Sequence, residues 1–213
     1  MDIDYLYKKY SQKKNEIESR ISEFDKLKKM RGNKLLPELV FCICAANSSA
    51  KAAYAAQKGL EKTNLINSED ARAISKILLE SKVRFHNNKA KYIVSARKKL
   101  FEQNMLKKYL QEHTDDEIGL RNRLADEVDG IGLKEAGHFM RNTGLGFEVA
   151  ILDRHILNNL HKYGAIEQMP KSLGRKTYFE IEEKMIKFSQ KAKIPMAHLD
   201  LLFWSEQTGR IFK

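Results

Sequence analysis

Lys134 and Asp153 are the two residues of this 213-residue chain whose types and surroundings point most directly to covalent chemistry. Lys134 closes the run Val128-Asp129-Gly130-Ile131-Gly132-Leu133-Lys134, which lies between two helical patterns. A Gly-x-Gly turn lets the chain reverse through positive φ and leaves backbone N–H groups pointing outward at a helix start, a nest for an anion such as a DNA phosphate. In the first turn of the following helix, the positive end of the macrodipole disfavours an ammonium ion. A partly neutral amine there is a nucleophile able to displace a leaving group at a sugar carbon and form a Schiff base. The same letters also describe a plain hairpin followed by a solvated lysine.

Nineteen residues further on, Ala150-Ile151-Leu152-Asp153-Arg154-His155-Ile156-Leu157 places an acid between an apolar stretch and a new helix. Asp153 reads first as an N-cap, a structural role worth ~1 kcal/mol. A cap also fixes a carboxylate. If the hairpin lysine faces it, Asp153 can accept the lysine proton and stabilise positive charge developing on a sugar as a glycosidic bond breaks.

The elements that must position this pair are helical. Apolar residues recur at helical spacing, as in Ile3, Tyr7, Tyr10, Ile17, Ile21 and Phe24, or Ile181, Met185 and Phe188, and no segment alternates with period two for long. The spacing predicts helices near 2–28, 36–46, 49–59, 69–81, 88–101, 116–127, 133–142, 154–163, 173–191 and 196–207. Thr114-Asp115-Asp116-Glu117 reads as a capping box, Asn67 to Asp70 resembles one, and Pro195 suits a first helical turn. Three prolines and no low-complexity stretch argue for short loops and an all-α fold without a flexible linker.

Composition narrows the function classes. Lys and Arg outnumber Asp and Glu by 39 to 28, a formal charge of +11 spread along the chain, which suits a polyanion or simply a charged, soluble surface. The longest apolar run, Leu35 to Ala46 interrupted by Pro37 and Glu38, falls short of the ~20 residues that span a bilayer. The N-terminal residues lack the pattern of a secretory signal, so a reducing, cytoplasmic setting is expected, with nucleoid association when DNA is bound. Cys42 and Cys44 are the two cysteines, expected as buried small hydrophobes, and they give an iron–sulfur cluster or a structural zinc no ligand set.

Gly130-Ile131-Gly132-Leu133-Lys134, followed at this interval by Leu152-Asp153-Arg154-His155, resembles the helix-hairpin-helix DNA glycosylase superfamily, whose hairpin lysine and downstream aspartate are catalytic. One departure is Asp129, where family members commonly have proline. Members acting on oxidised pyrimidines or removing adenine usually carry a four-cysteine cluster, which this chain lacks. Phe41-Cys42-Ile43-Cys44-Ala45-Ala46-Asn47-Ser48-Ser49 is similar to the segment of 8-oxoguanine glycosylases whose asparagine fills the gap left by an extruded nucleotide. The ending Asp200-Leu201-Leu202-Phe203-Trp204 through Arg210-Ile211-Phe212-Lys213 resembles the tail of the compact second-class 8-oxoguanine DNA glycosylases, best known from archaea.

The resemblance implies a bifunctional 8-oxoguanine DNA glycosylase and abasic-site lyase acting on double-stranded DNA as a monomer. It implies two helical lobes, 36–150 as a central bundle ending in the hairpin and 1–35 plus 151–213 as a second lobe formed by both chain ends, with the active-site cleft between them. Base recognition falls to a carboxylate at Lys213, to Trp204 stacking on the base, and to Asp200; by its own composition the basic-aromatic run Arg84 to Tyr92 suits insertion into a duplex, with Phe85 as an aromatic wedge or else a core anchor. DNA contacts fall to Asn47, Gly130, Gly132, Arg84, His86, Asn87, Lys89, Arg154 and His155. No cofactor is required, although the 128–133 hairpin carbonyls could hold a structural potassium or sodium ion. The competing readings are a glycosylase for another oxidised base and a non-catalytic helix-hairpin-helix DNA-binding module.

Overall fold

The computed structural model describes residues 3–30 and 32–212, and every regular element among them is helical. The helices are α1 (Ile3–Lys28), α2 (Leu36–Ala45), α3 (Ala50–Lys62), α4 (Ala71–Glu80), α5 (His86–Arg97), α6 (Met105–Glu112), α7 (Glu117–Glu127), α8 (Leu133–Asn142), α9 (Arg154–Lys162), α10 (Arg175–Ala192) and α11 (Met196–Thr208). None of them is long and apolar enough to cross a membrane. The described residues fall into two compact units, the first drawn from 1–27 and 140–213, the second from 28–139.

The second unit is built around α2. Leu36, Leu39, Val40, Phe41, Cys42, Ile43 and Cys44 are all buried there, so the helix is apolar around most of its circumference and packs against α3 and α5. Burying each leucine-sized side chain contributes about 1.5–3 kcal/mol. Both cysteines are free and buried, as expected, and burial pushes the Cys44 thiol up to about 12.

In the first unit α11 is the central helix. Leu199, Leu201, Leu202 and Phe203 are buried, with the Phe203 ring stacked on Tyr163 at 5.6 Å. A polar knot ties α11 to α1 and α9. Glu206 accepts hydrogen bonds from Lys9 at 2.7 Å and Lys162 at 3.0 Å, and the Tyr163 hydroxyl lies 3.2 Å away. Burial opposes ionisation of Glu206, but the two lysines outweigh it and hold the carboxyl below the usual glutamate range.

The compact units divide at 27/28 and 139/140, and the lobes expected from sequence at 35/36 and 150/151. Several local expectations are corrected. Residues 32–35 form a short 3-10 turn that runs into α2 and packs on it, while Ala150 and Leu152 are hydrogen-bonded to α10. Met105–Glu112 is a helix that the periodicity missed, because it is only 8 residues long and begins behind a left-handed Asn104 (φ 55). Thr114 is not the cap of α7. Asp116 takes that place and accepts from Gly119 N at 2.8 Å, while the Thr114 hydroxyl donates back to Leu110 and Gln111 carbonyls. Asp70, one residue before α4, caps that helix, and Pro195 immediately precedes α11.

Candidate active site

The hairpin joins α7 to α8 through Val128–Gly132, and its geometry requires glycine at one position. Gly130 has φ +80, and a Cβ there would stand 2.6–2.7 Å from the Tyr92 side chain of α5. Gly132 is not among the residues with positive φ, so only half of the Gly-x-Gly argument from backbone conformation holds. Asp129, standing where proline is common, is tied to the same helix by the Ser95 hydroxyl, which donates to Oδ2 at 3.1 Å. Closure of the turn on α5 therefore comes from packing and one hydrogen bond instead of a proline ring.

Lys134 lies in the first turn of α8, as the spacing predicted. Its side chain is 27% exposed and its amine pairs with Glu135 Oε1 at 3.0 Å. The amine is thus partly exposed and paired with its sequence neighbour. Sequence reasoning passed over Glu135, because neighbouring helical residues do not normally face one another.

Asp153 belongs to the other unit and is the N-cap of α9: Oδ1 accepts from Ile156 N at 2.8 Å. The stretch leading to it is fixed by α10. Ala150 N donates to Glu182 Oε1 at 2.8 Å, the Tyr178 hydroxyl donates to the Ala150 carbonyl at 2.7 Å, and Leu152 N reaches the same hydroxyl at 3.4 Å. A capped carboxylate fed by a clamped backbone has little freedom to move. Tyr178 and Glu182 were missed from sequence. The available signal was an acid, Glu182, inside the otherwise apolar stripe of Tyr178, Ile181, Met185 and Phe188. Arg154 is exposed and His155 half-buried, both in the first turn of α9.

The remaining DNA candidates of the second unit cluster at two turns. Asn47 is exposed with φ 54, and Phe85 is 56% exposed with φ 58, both left-handed. The exposed Arg84 lays its guanidinium over the Phe85 ring at 5.3 Å. His86 is half-buried at the start of α5, and Asn87 accepts from Ser75 of α4 at 2.7 Å through Oδ1. Lys89 departs from expectation. It is 4% exposed, and its ammonium donates inward to the Cys44 carbonyl at 2.9 Å and to that of Ala46, so it does not present a cation to phosphate. Burial pulls its pKa below the ordinary lysine value.

For base recognition, Trp204 is half-buried and its ring lies against Phe212 at 6.1 Å and 28°, so the tail after Gly209 (φ 77) folds back along α11. Asp200 is buried and bonded to the guanidinium of Arg141, which occupies an oxygen that the sequence reading assigned to the base. Lys213 lies outside the described residues. Among those residues, no group of three or more His, Cys, Asp or Glu side chains could hold a metal ion.

Comparison with known proteins places this geometry in context. A protein of Fusobacterium nucleatum named 8-oxoguanine DNA glycosylase/AP lyase is 38% identical, covering 100% of this chain and 96% of its own length. The crystal structure of the Methanocaldococcus jannaschii 8-oxoguanine DNA glycosylase superposes with a TM-score of 0.86 at 32% identity, covering 99% of this chain and 95% of that one. A structure of the same archaeal protein in complex with a 15mer DNA containing 8-oxoguanine gives 0.85 at 32% identity over 98% and 100%. The sequence profile of the 8-oxoguanine DNA glycosylase family, Ogg-HhH, matches residues 17–194, an interval containing both Lys134 and Asp153, and the chain belongs to that family.

Proposed function

We propose that this protein removes 7,8-dihydro-8-oxoguanine from double-stranded DNA and then nicks the abasic strand, with Lys134 as nucleophile and Asp153 as its carboxylate partner. The observation that carries the reading is the placement of Lys134: a half-buried amine, held by Glu135, in the first turn of a helix that follows a glycine-dependent hairpin. Such an amine suits covalent attack on a sugar carbon. Its relatives, named for both glycosylase and lyase activity, support the same pairing of steps.

In this scheme the lysine nitrogen forms a bond to C1′ as the N-glycosidic bond breaks, and the purine leaves with the bonding electrons and takes up a proton. Asp153 stabilises positive charge on the sugar and accepts the amine proton. Ring opening yields a Schiff base between Lys134 and the sugar. Loss of a proton from C2′ then expels the 3′ phosphate, which is the nick.

Asn47 and Phe85 enter the duplex in this reading, the asparagine occupying the vacated position and the phenyl ring stacking on bases, with Arg84, His86 and Asn87 beside them. Gly130, Gly132, Arg154 and His155 carry phosphate contacts at helix N-termini. Trp204 and Lys213 read the extruded purine, and Asp200, held by Arg141, lies on the same helix as Trp204. The half-exposed Trp204 ring, lying against Phe212 next to Lys213 in sequence, supports that assignment. The protein acts as a monomer in the cytoplasm, without a cofactor, and a potassium or sodium ion at the 128–133 carbonyls would be structural.

Borohydride trapping on defined duplexes tests the proposal. A covalent adduct with 8-oxoguanine DNA that is lost in Lys134→Ala is expected. An adduct formed only with oxidised pyrimidines points to another lesion, and no adduct with any lesion reduces the protein to a DNA-binding module.

A further inference from the structure

Asn47 and Phe85 are two of the exposed non-glycine residues in the left-handed region, with φ 54 and 58. A bulky residue adopts that conformation only where its surroundings hold it. In the second unit the surroundings converge on one side chain. From α5, the Lys89 ammonium donates to the carbonyls of Cys44 and Ala46 and lies 3.2 Å from Ser48 Oγ. These partners match its three donors. Ser48 Oγ also accepts from Arg84 N at 3.0 Å, and Lys89 N donates to the Phe85 carbonyl at 3.0 Å. The two turns are therefore joined in a ring of hydrogen bonds that passes through Lys89 twice.

A lysine that only capped α2 would stop at the last carbonyls of that helix. This one reaches past them to Ser48, the residue that touches both turns. Its cost is a buried cation, which burial disfavours. We propose that Lys89 is a positioning residue that locks Asn47 and Phe85 into a single rigid element, and that it serves extrusion of the lesion nucleotide and not bond cleavage at the sugar. The inference rests on the reading of Asn47 and Phe85 as the pair that enters the duplex.

The test uses the full-length protein in single-turnover excision of 8-oxoguanine from a paired duplex and from a single-stranded oligonucleotide, where no base need be displaced. Fluorescence of a 2-aminopurine beside the lesion reports extrusion separately. Lys89→Met is expected to slow duplex excision about tenfold or more and to slow the fluorescence change with it, while single-strand excision falls less than about twofold. Lys89→Arg, which keeps a buried cation, should restore part of the duplex rate. Ser48→Ala removes the shared oxygen without stranding a charge, should give a smaller loss of the same kind, and serves if Lys89→Met does not fold. Equal losses on both substrates, or an unchanged duplex rate in both variants, overturn the proposal. Asn47→Ala and Phe85→Ala run alongside. If they leave extrusion unchanged, the duplex-entering reading fails and the role of Lys89 falls with it. If they slow extrusion and the Lys89 and Ser48 variants do not, the Lys89 inference fails alone.

Discussion

Glu135 Oε1 stands 3.0 Å from the Lys134 amine, so the proposed nucleophile is paired with its sequence neighbour in the free protein. A single ion pair at a partly exposed site is worth ~0–1 kcal/mol, too little to decide the chemistry. Glu135→Gln should therefore change the borohydride-trapping rate by less than about tenfold. Lys134→Ala should remove trapping altogether while leaving affinity for the lesion duplex largely intact. Wild-type turnover by Lys134→Ala would end the nucleophile assignment.

Asp153 combines a cap with a proposed charge-stabilising role, and one substitution separates them. Asparagine caps helices as well as aspartate does, so Asp153→Asn should keep the melting temperature near wild type. Excision should fall about a hundredfold or more, because the negative charge is gone. Asp153→Ala should in addition lose ~1 kcal/mol of stability along with the bond to Ile156 N. Full activity in the asparagine variant would reduce Asp153 to its structural role.

Gly130→Ala should cost about 2 kcal/mol or more, the sum of a left-handed φ and overpacking against α5. Shortening the Tyr92 ring should not rescue it, since Tyr92 Cβ is itself 2.7 Å from the added methyl. Urea midpoints of Gly130→Ala, alone and with Tyr92→Ala, are the measurement. Recovery in the double variant would show that the ring, and not the backbone, sets the requirement.

Glu206 gives a pH signature with a definite sign. Its carboxyl is held below the usual glutamate range by Lys9 and Lys162. Its contribution is therefore present above the unfolded value of about 4.3 and is lost as pH falls through the lower folded value. Glu206→Gln should lower stability by about 1–2 kcal/mol at neutral pH. The gap between variant and wild type should close on acidification below about pH 4. A gap that widens with acid would reverse the assigned direction.

What the sequence determined by itself was local. Helical periodicity fixed the class and located ten of the helices to within a few residues; the glycine at 130 and the acid at 153 announced a turn and a cap because backbone strain and unsatisfied N–H groups admit few residue types. The proposed pairing of Lys134 with Asp153 came from the resemblance of the two motifs at this interval to the family's own. What needed tertiary structure was everything that depends on which helices touch. Lys89 read as a surface cation by charge and neighbourhood. It proves buried, because only the packing of α5 on α2 brings free helix-end carbonyls within reach of its ammonium. Asp129, a blemish in the hairpin motif, is anchored by Ser95, 34 residues away in sequence. The backbone that delivers Asp153 is clamped from α10 by Tyr178 and Glu182, and an acid in an apolar stripe flags a buried polar contact without naming its partner. A buried polar side chain draws its meaning from the partner that satisfies it, and that partner is chosen by chain packing, which residue order along one strand of sequence does not encode locally.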